Sequence, residues 1–176
     1  MMNQNEFLAY EINMGVSLSN SEFMNLANAT IEKLKQYPIK TILDFGAGIG
    51  AYSLAAINAG YTTYSFEIWD AHKKYMKDNI PNIRLVDEPI NTDCLLFIET
   101  AEHMTDKEID DLFGKISPQY ILFSSTSEKN PGFDEQWGHI NIKTQEEWIS
   151  VFQQKNYDLL SEIKQPTLWS KIFKKV

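Results

Sequence analysis

Features that would place a protein in a membrane or in an oxidising compartment are missing from this sequence. Cysteine occurs once in 176 residues, at Cys94, so neither a disulfide framework nor a cysteine-based metal site is expected. Unbroken apolar runs such as Cys94–Ile98 and Tyr120–Phe123 are far shorter than the roughly 20 residues that a membrane-spanning helix needs. The first residues also lack the basic start and the apolar stretch of a secretory signal. We therefore expect a cytoplasmic protein without a membrane segment.

Basic residues are in the minority. The chain has 16 Lys plus Arg against 24 Asp plus Glu, a net charge of −8. This charge opposes the attraction to phosphate that drives most nonspecific nucleic-acid binding. Nucleic acid is therefore not expected as a partner, and an RNA terminus is only a minor alternative. We interpret the basic cluster of Lys171, Lys174 and Lys175 as a solvated carboxyl-terminal segment.

The chain is long enough for one sizeable core and too short for two ordinary domains, so a single domain over residues 1–176 is expected. Short apolar segments alternate with amphipathic ones, a pattern typical of an α/β sheet. Strands are predicted at 41–45, 61–67, 83–86, 93–98 and 120–124, and a terminal antiparallel hairpin at 158–163 and 168–173. Helices are predicted at 19–36, 51–58, 70–78, 105–115 and after Thr144. The ligand site of such a sheet lies at the carboxyl ends of its strands.

Three predicted helices open with the Ser/Thr-x-x-Glu pattern of a capping box, at Ser19, Thr105 and Thr144. Residues 1–36 are predicted to form an amino-terminal lid and helix ahead of a cofactor-binding core at 37–176. Residues 125–142 are predicted to be a polar loop, and loops of that length are often functional. We expect this loop to form the second part of the lid.

A glycine-rich turn follows the first predicted strand. Glycines at Gly46, Gly48 and Gly50 let backbone N–H groups and the start of a helix approach a ligand closely. Glu67 ends the second predicted strand, where a carboxylate can accept hydrogen bonds from both hydroxyls of a ribose. The pair predicts a nucleotide-like cofactor. The glycines alone also fit the dinucleotide fingerprint, so they leave the choice between two cofactors open.

The wider segment Leu43-Asp44-Phe45-Gly46-Ala47-Gly48-Ile49-Gly50 resembles motif I of class I S-adenosylmethionine-dependent methyltransferases. The acid two residues before the first glycine belongs to that signature, and nicotinamide enzymes usually lack it. The resemblance extends from Ile39 to the carboxyl-terminal hairpin. It implies a Rossmann-like fold with a seven-stranded, mostly parallel sheet, helices on both faces and the last strand antiparallel.

The same resemblance implies how S-adenosylmethionine would be held. Gly46 and Gly48 would approach its methionine part, Glu67 would bind the ribose and Ile68 would cover the adenine. Trp69 could share that cover or simply pack in the core. Asp87 would contact the adenine amino group, with the adjacent Glu88 as the alternative. The expected cofactor-binding residues are Asp44, Gly46, Ala47, Gly48, Gly50, Glu67, Ile68, Asp87 and Ile98.

Acidic and imidazole side chains follow the fourth predicted strand. Glu99 and Glu102 can converge on one point with His103 beside them, and His139, after the fifth strand, comes from the same edge of the sheet. Two carboxylates and imidazoles predict a divalent-cation site. The stretch Glu99-Thr100-Ala101-Glu102-His103 resembles the E-x-x-E-H site of the ubiquinone-biosynthesis O-methyltransferases and of the small-RNA 3′-terminal 2′-O-methyltransferases. That resemblance implies a metal such as Mg²⁺ on Glu99, Glu102, His103 and His139, gripping neighbouring hydroxyls of the acceptor.

Readings without a metal stay open for the histidines. His103 could line the acceptor pocket or orient a loop, and His139 could act as a general base toward an acceptor hydroxyl. We expect the remaining histidine, His72, to be solvated.

Methyl transfer from S-adenosylmethionine to an oxygen of a small molecule or glycan precursor is the function predicted. The chain lacks the N/D-P-P-Y/F/W motif for methylating amino groups of bases, and its cysteine is not in a Pro-Cys pair. The alternatives are an NAD(P)-dependent oxidoreductase and a noncatalytic S-adenosylmethionine-binding or partner protein. The sequence does not indicate an oligomeric state.

Overall fold

A computed structural model describes residues 2–176, and Met1, the first residue of the predicted lid segment, lies outside the described residues. The described chain folds as two compact units, one up to Glu88 and one from Pro89 to Val176. Its seven strands belong to a mixed, mostly parallel sheet that ends in an antiparallel hairpin. This arrangement confirms the predicted Rossmann-like α/β fold. The predicted single domain stays a prediction.

The amino-terminal unit is built on three parallel strands. The strand β1 (Thr41–Phe45) pairs with β2 (Thr62–Phe66), and β2 pairs with the short β3 (Leu85–Val86). The α-helices of this unit are α1 (Gln4–Asn13), α2 (Ser21–Glu32), α3 (Ala51–Asn58) and α4 (Asp70–Asn79), with a 3-10 turn at Lys33–Gln36. The predicted strand and helix that flank the glycine turn are confirmed to the residue.

The start of the amino-terminal unit differs from the prediction. Helix α1 was not predicted, although Asn3 and Glu6 form a capping box at its first turn. The predicted capping box at Ser19 is wrong, because the side chain of Asn20 accepts the amides of Glu22 and Phe23 and α2 starts at Ser21. An asparagine is as good a helix cap as a serine, so two adjacent candidates cannot be separated by residue type.

The carboxyl-terminal unit combines parallel and antiparallel pairing. The strand β4 (Cys94–Ile98) runs parallel to β5 (Tyr120–Ser124), and β7 (Lys171–Lys175) pairs antiparallel with both β5 and β6 (Tyr157–Glu162). The α-helices are α5 (Asp106–Lys115), α6 (Pro131–Trp137) and α7 (Gln145–Gln153), with a 3-10 turn at Ala101–His103. The capping boxes predicted at Thr105 and Thr144 are confirmed. Within residues 2–176, none of the helices is long and apolar enough to cross a bilayer.

An aromatic core holds α7 onto the sheet of this unit. The ring centroids of Phe123 and Phe152 lie 4.8 Å apart, and those of Phe152 and Phe173 lie 4.6 Å apart. The Trp148 ring also packs against Phe123, with ring centroids 5.1 Å apart. All residues of β4 and β5 are buried, as their uniformly apolar sequences predict. This core fixes the strand ends from which the site residues leave.

Two predictions for this unit are corrected. The segment 125–142 is not a continuous loop, because α6 forms within it. Lys171 is not solvated: it is 2% exposed, and its Nζ donates to Glu162 and Gln145, each at 2.9 Å. A buried lysine needs such partners, and partners from other elements are invisible in the local sequence.

Candidate functional site

The glycine turn between β1 and α3 is held open by backbone hydrogen bonds. The amides of Gly46 and Ala47 both donate to the carbonyl of Phe66, at 2.9 and 3.0 Å. Gly48 and Gly50 have positive φ angles of 53° and 82°, which favour glycine. A side chain at Gly50 would also lie 2.6 Å from Ile80, whereas nothing lies within 4 Å of the Cβ position at Gly48. The turn is thus closed on the Gly50 side and open at Gly48.

Glu67 reaches the open side of this turn. Its Oε2 accepts the amide of Gly48 at 2.8 Å, and its Oε1 accepts the amide of Trp69 at 2.9 Å. The carboxylate and the glycine turn, 19 residues apart, therefore meet as a cofactor site requires. An ionised carboxylate has about four lone-pair sites, so two amides leave capacity for ribose hydroxyls.

Asp44 lies behind the turn. It is buried, and its Oδ2 accepts the hydroxyl of Ser53 at 2.6 Å, while Ser53 is 2.6 Å from the hydroxyl of Ser65. This chain of hydrogen bonds joins β1, α3 and β2. Burial raises the pKa of Asp44 to about 6, opposed by the Ser53 hydrogen bond and assisted by the charge of Glu67. Asp44 stabilises the turn through its hydrogen bond with Ser53. Its expected contact with the cofactor stays a prediction.

The residues expected to cover the adenine lie at the ends of β2 and β3. Ile68 is 69% exposed. Asp87 and the alternative Glu88 are both exposed just after β3. Trp69 packs edge-on against Phe7 of α1, with ring centroids 5.0 Å apart. These positions are compatible with the predicted roles and do not test them.

His72 is not solvated, contrary to the prediction. It is 2% exposed, and its Nε2 lies 2.6 Å from the Oε2 of Glu11. The pair joins α4 to α1, and its partner could not be anticipated because α1 was not predicted. Residues of the predicted lid thus pack directly beside Trp69.

A second cluster of polar side chains follows β4 in the carboxyl-terminal unit. Glu102 is fully buried, and its Oε2 accepts the hydroxyl of Ser125 at 2.8 Å. Its Oε1 accepts no hydrogen bond from any residue in the described range 2–176. Glu99 accepts the hydroxyl of Ser124. Burial of the carboxyl groups raises the pKa of both glutamates, and the charge of Glu102 raises that of Glu99 further.

Two imidazoles stand beside the buried carboxylate. The ring centroids of His103 and His139 are 4.9 Å apart, and one ligand atom from each of Glu102, His103 and His139 lies within 4.8 Å of the others. The structure thus brings together three of the four predicted metal ligands. Glu99 lies outside this group, although its carboxyl interacts with that of Glu102, and its part as a ligand stays a prediction.

The imidazoles are oriented by acceptors behind them. Nδ1 of His139 lies 3.0 Å from the Oδ1 of Asp134, and Nδ1 of His103 lies 3.3 Å from the carbonyl of Gly138. The other Asp134 oxygen accepts the amide of Asn130 at 2.7 Å. Metal-binding or catalytic histidines commonly use one ring nitrogen in this way, which orients the other.

Three supporting residues were missed by the sequence analysis. Ser124 ends β5 and Ser125 follows it, and polar residues at that strand end were a usable signal. No pattern in the sequence pointed to Asp134, because it lies on α6, a helix that was not predicted. Ile98, expected to contact the cofactor, is 7% exposed at the end of β4.

Proteins of known structure share the fold of this chain, whereas no known family matches its sequence. No family model and no curated protein matches the chain. A Pyrococcus horikoshii OT3 protein of solved structure is 14% identical with a TM-score of 0.70, and the match covers 96% of this chain and 99% of that one. The magnesium protoporphyrin IX methyltransferase of Synechocystis PCC 6803, solved with bound SAH, is 13% identical with a TM-score of 0.63, covering 100% and 90%.

A third similar structure is the mitomycin 7-O-methyltransferase MmcR, with 13% identity and a TM-score of 0.63. The match covers 89% of this chain, which spans only 55% of the length of MmcR. The fold is that of S-adenosylmethionine-dependent methyltransferases. At these identities the likeness establishes the fold and leaves activity to the site.

The raised pKa of Asp44 predicts a pH-dependent stability. Because the folded chain holds this proton more tightly than the unfolded chain, the free energy of unfolding should fall as pH rises from about 4 through about 6. Between pH 5 and pH 7.5 the loss from Asp44 should be about 1 to 2 kcal/mol. Asp44→Asn should abolish this component in urea denaturation curves, and Ser53→Ala should steepen it. Identical pH dependence in wild type and Asp44→Asn would contradict the assignment.

The Asp134 carboxylate predicts the tautomer of His139. A neutral His139 should carry its proton on Nδ1, because Asp134 can only accept there. In Asp134→Asn the amide oxygen should keep the Asn130 amide and turn its NH₂ toward Nδ1, favouring the Nε2–H tautomer. Long-range ¹H–¹⁵N correlation spectra of histidine-labelled protein distinguish the two forms, with Glu135→Gln as a control on the same helix. An Nε2–H tautomer in the wild-type protein would disprove this orientation.

Proposed function

We propose that this chain is an S-adenosylmethionine-dependent methyltransferase that methylates an oxygen of a small molecule. The observation that carries the proposal is the meeting of Glu67 with the open glycine turn at Gly48. There a cofactor carrying a ribose would find a carboxylate beside a turn whose backbone it can approach closely at Gly48. The acid Asp44 before the turn favours S-adenosylmethionine over NAD(P), and the fold supports the same choice.

The acceptor is proposed to be a small hydroxyl compound, with a glycan precursor included in that class. The net charge of −8 disfavours a polyanionic substrate. The mitomycin and protoporphyrin enzymes with the same fold are methyltransferases of small molecules by name. A cytoplasmic location stays part of the proposal.

The chemistry of the second cluster fits a divalent cation. Glu102 presents a buried oxygen, Oε1, that no residue within 2–176 satisfies, and a buried carboxylate oxygen without a partner is costly. Two imidazoles and a carboxylate suit Mn²⁺ or Zn²⁺ at least as well as Mg²⁺. Glu102, His103 and His139 would hold the cation, with Glu99 as the fourth predicted ligand. A bound cation would lower the pKa of an acceptor hydroxyl.

The chain's own residues then have defined roles. Ser125 holds one oxygen of Glu102 and thereby directs the other into the cluster. Asp134 holds the imidazole of His139 so that Nε2 is the nitrogen available to a ligand or a proton. The same Asp134 and His139 pair supports a second mechanism without a metal, in which Nε2 of His139 accepts the hydroxyl proton directly.

Ligand binding tests the cofactor assignment. Titration calorimetry should show binding of S-adenosylhomocysteine and no comparable binding of NADH. Glu67→Gln should weaken S-adenosylhomocysteine by about 10- to 100-fold, because charged hydrogen bonds to the ribose are lost. The exposed Glu32→Gln, on the same unit, serves as the control. Tight NADH binding without a response to S-adenosylhomocysteine would replace the proposal with an oxidoreductase. Binding without transfer to any acceptor in a broad screen would favour a noncatalytic binding protein.

Metal titration tests the second cluster independently of the first. Wild-type protein should bind Mn²⁺, and Glu102→Gln should weaken that binding by at least about 10-fold. S-adenosylhomocysteine affinity should stay unchanged in this variant. The exposed Glu146→Gln is the matched control. EDTA should abolish methyl transfer; full turnover in EDTA would refute the metal and leave His139 as general base.

A further inference from the structure

A cavity of about 340 Å³ opens in the carboxyl-terminal unit, and this volume is large enough for a small organic molecule. Its walls come from the second half of α5, from the segment just after that helix, from the turn between α7 and β6 and from the end of β7. We call it the α5 cavity. The side chains that decide what it can bind are those of Asp110, Phe113, Ile116, Ser117, Lys155 and Lys175.

The α5 cavity lies at the opposite end of β5 from the cluster around Glu102. Ser117 comes before β5, and the amide of Lys175 donates to the Gln119 carbonyl at 2.9 Å, just ahead of the same strand end. Ser125, which donates to Glu102, follows the other end. The five residues of β5 span roughly 16 Å. A ligand in the α5 cavity would therefore not be the acceptor of the proposed methyl transfer.

Two lysines against one acid give the α5 cavity a net positive charge. The Nζ of Lys155 pairs with the Oδ1 of Asp110. The Nζ of Lys175 donates to the hydroxyl of Ser117, and within residues 2–176 it pairs with no carboxylate. An ammonium group has three donor hydrogens, so Lys175 keeps both its charge and two donors for an anion. The positive cavity is a local exception in a chain of net charge −8.

The remaining walls of the α5 cavity are apolar. Phe113 is half-buried, with the Lys155 ammonium 5.8 Å from its ring centroid, and Ile116 is buried beside it. The hydroxyl of Tyr157 gives its one proton to the Pro118 carbonyl at 2.8 Å, so it has no donor left for a ligand. A ligand would thus meet its charged partner at the lysines and apolar surface elsewhere. Small-molecule sites commonly combine apolar walls with a few polar groups in this way.

We propose that the α5 cavity binds a small organic anion, with its carboxylate or phosphate group on Lys175 and its apolar body against Phe113 and Ile116. The inference does not depend on the proposed methyltransferase function, because no residue of the glycine turn or of the Glu102 cluster lines this cavity. Inorganic phosphate would meet the ammonium and leave the apolar wall uncovered. It should therefore bind more weakly than an anion that carries an apolar group.

Titrations followed by ¹H–¹⁵N correlation spectra of the full chain test the site. Benzoate and phenyl phosphate are the anionic probes, and benzyl alcohol is their neutral counterpart. Both anions should shift the amides of Gly114, Ser117 and Asn156, whereas benzyl alcohol should bind at least about fivefold more weakly. Lys175→Gln should weaken both anions by at least about fivefold, because a charge-assisted hydrogen bond is lost. Lys174→Gln is the matched control, since adjacent residues of a strand point to opposite faces.

A second variant should change the affinity in the opposite direction. Asp110→Asn removes the one acid of the α5 cavity and releases Lys155, so both anions should bind about two- to fivefold more tightly. Asp111→Asn makes the same change of charge one residue further along α5, where the acid pairs with Lys107, and should leave the affinity nearly unchanged. Tighter binding cannot result from misfolding, which separates a lost contact from a damaged fold.

Three results would overturn the inference. Benzyl alcohol binding as tightly as benzoate would show that charge plays no part. Equal anion affinities in wild type and Lys175→Gln would show that the lysine does not hold the anion. Shifts centred on Gly48 or Gly138 would place the anion at one of the two proposed functional sites. Because none of these measurements uses methyl transfer, failure of the proposed function leaves them unaffected.

Discussion

The buried carboxylate of Glu102 is the constraint around which the loops of the carboxyl-terminal unit are arranged. A buried carboxylate must be met by donors or by a cation, or else take up a proton, and burial raises the pKa of Glu102 accordingly. Ser125 meets one oxygen from the end of β5, and the Glu102 carbonyl holds the amides of Ile140 and Asn141. The loops after β4, β5 and α6 therefore converge on one residue. The other oxygen, Oε1, has no hydrogen-bond partner within residues 2–176 and is the atom that a bound metal would contact.

In the amino-terminal unit the corresponding constraint is a glycine turn that stays open at Gly48 and is nevertheless rigid. Glycine at the turn supplies the backbone angles, but glycine alone gives a mobile loop. Rigidity comes from beneath, where Asp44, Ser53 and Ser65 form one buried chain of hydrogen bonds. Glu67 completes the turn from the open side through the Gly48 amide. Of these groups, Glu67 is the one that lies on the open side of the turn, where a ribose-bearing cofactor would contact it.

Local signals predicted the fold well where they depend on neighbours in sequence. Strand apolarity and the capping boxes at Thr105 and Thr144 placed β1, β4, β5, α5 and α7, because these signals act within a few residues. Helix α6 was not predicted because it is only 7 residues long and includes Pro131 and Gly132. His72 and Lys171 were misjudged because burial depends on partners from distant elements, which local sequence does not contain.

The candidate site was predictable for a similar reason. Side chains that follow parallel strands must share one edge of a sheet, which is why Glu102, His103 and His139 could be grouped in advance. The supporting layer could not be grouped, since Asp134 reaches His139 only through the turn that ends α6. The exposure of Phe133 and Ile140 is likewise a property of the three-dimensional structure.

The most direct test of this account is anomalous diffraction from crystals of the protein soaked in Mn²⁺. The account predicts one strong peak at about 2.0 to 2.4 Å from Glu102 Oε1 and from a ring nitrogen of both His103 and His139. A water molecule, or a hydrogen bond from a protonated neighbour, in place of that peak at saturating Mn²⁺ would contradict it.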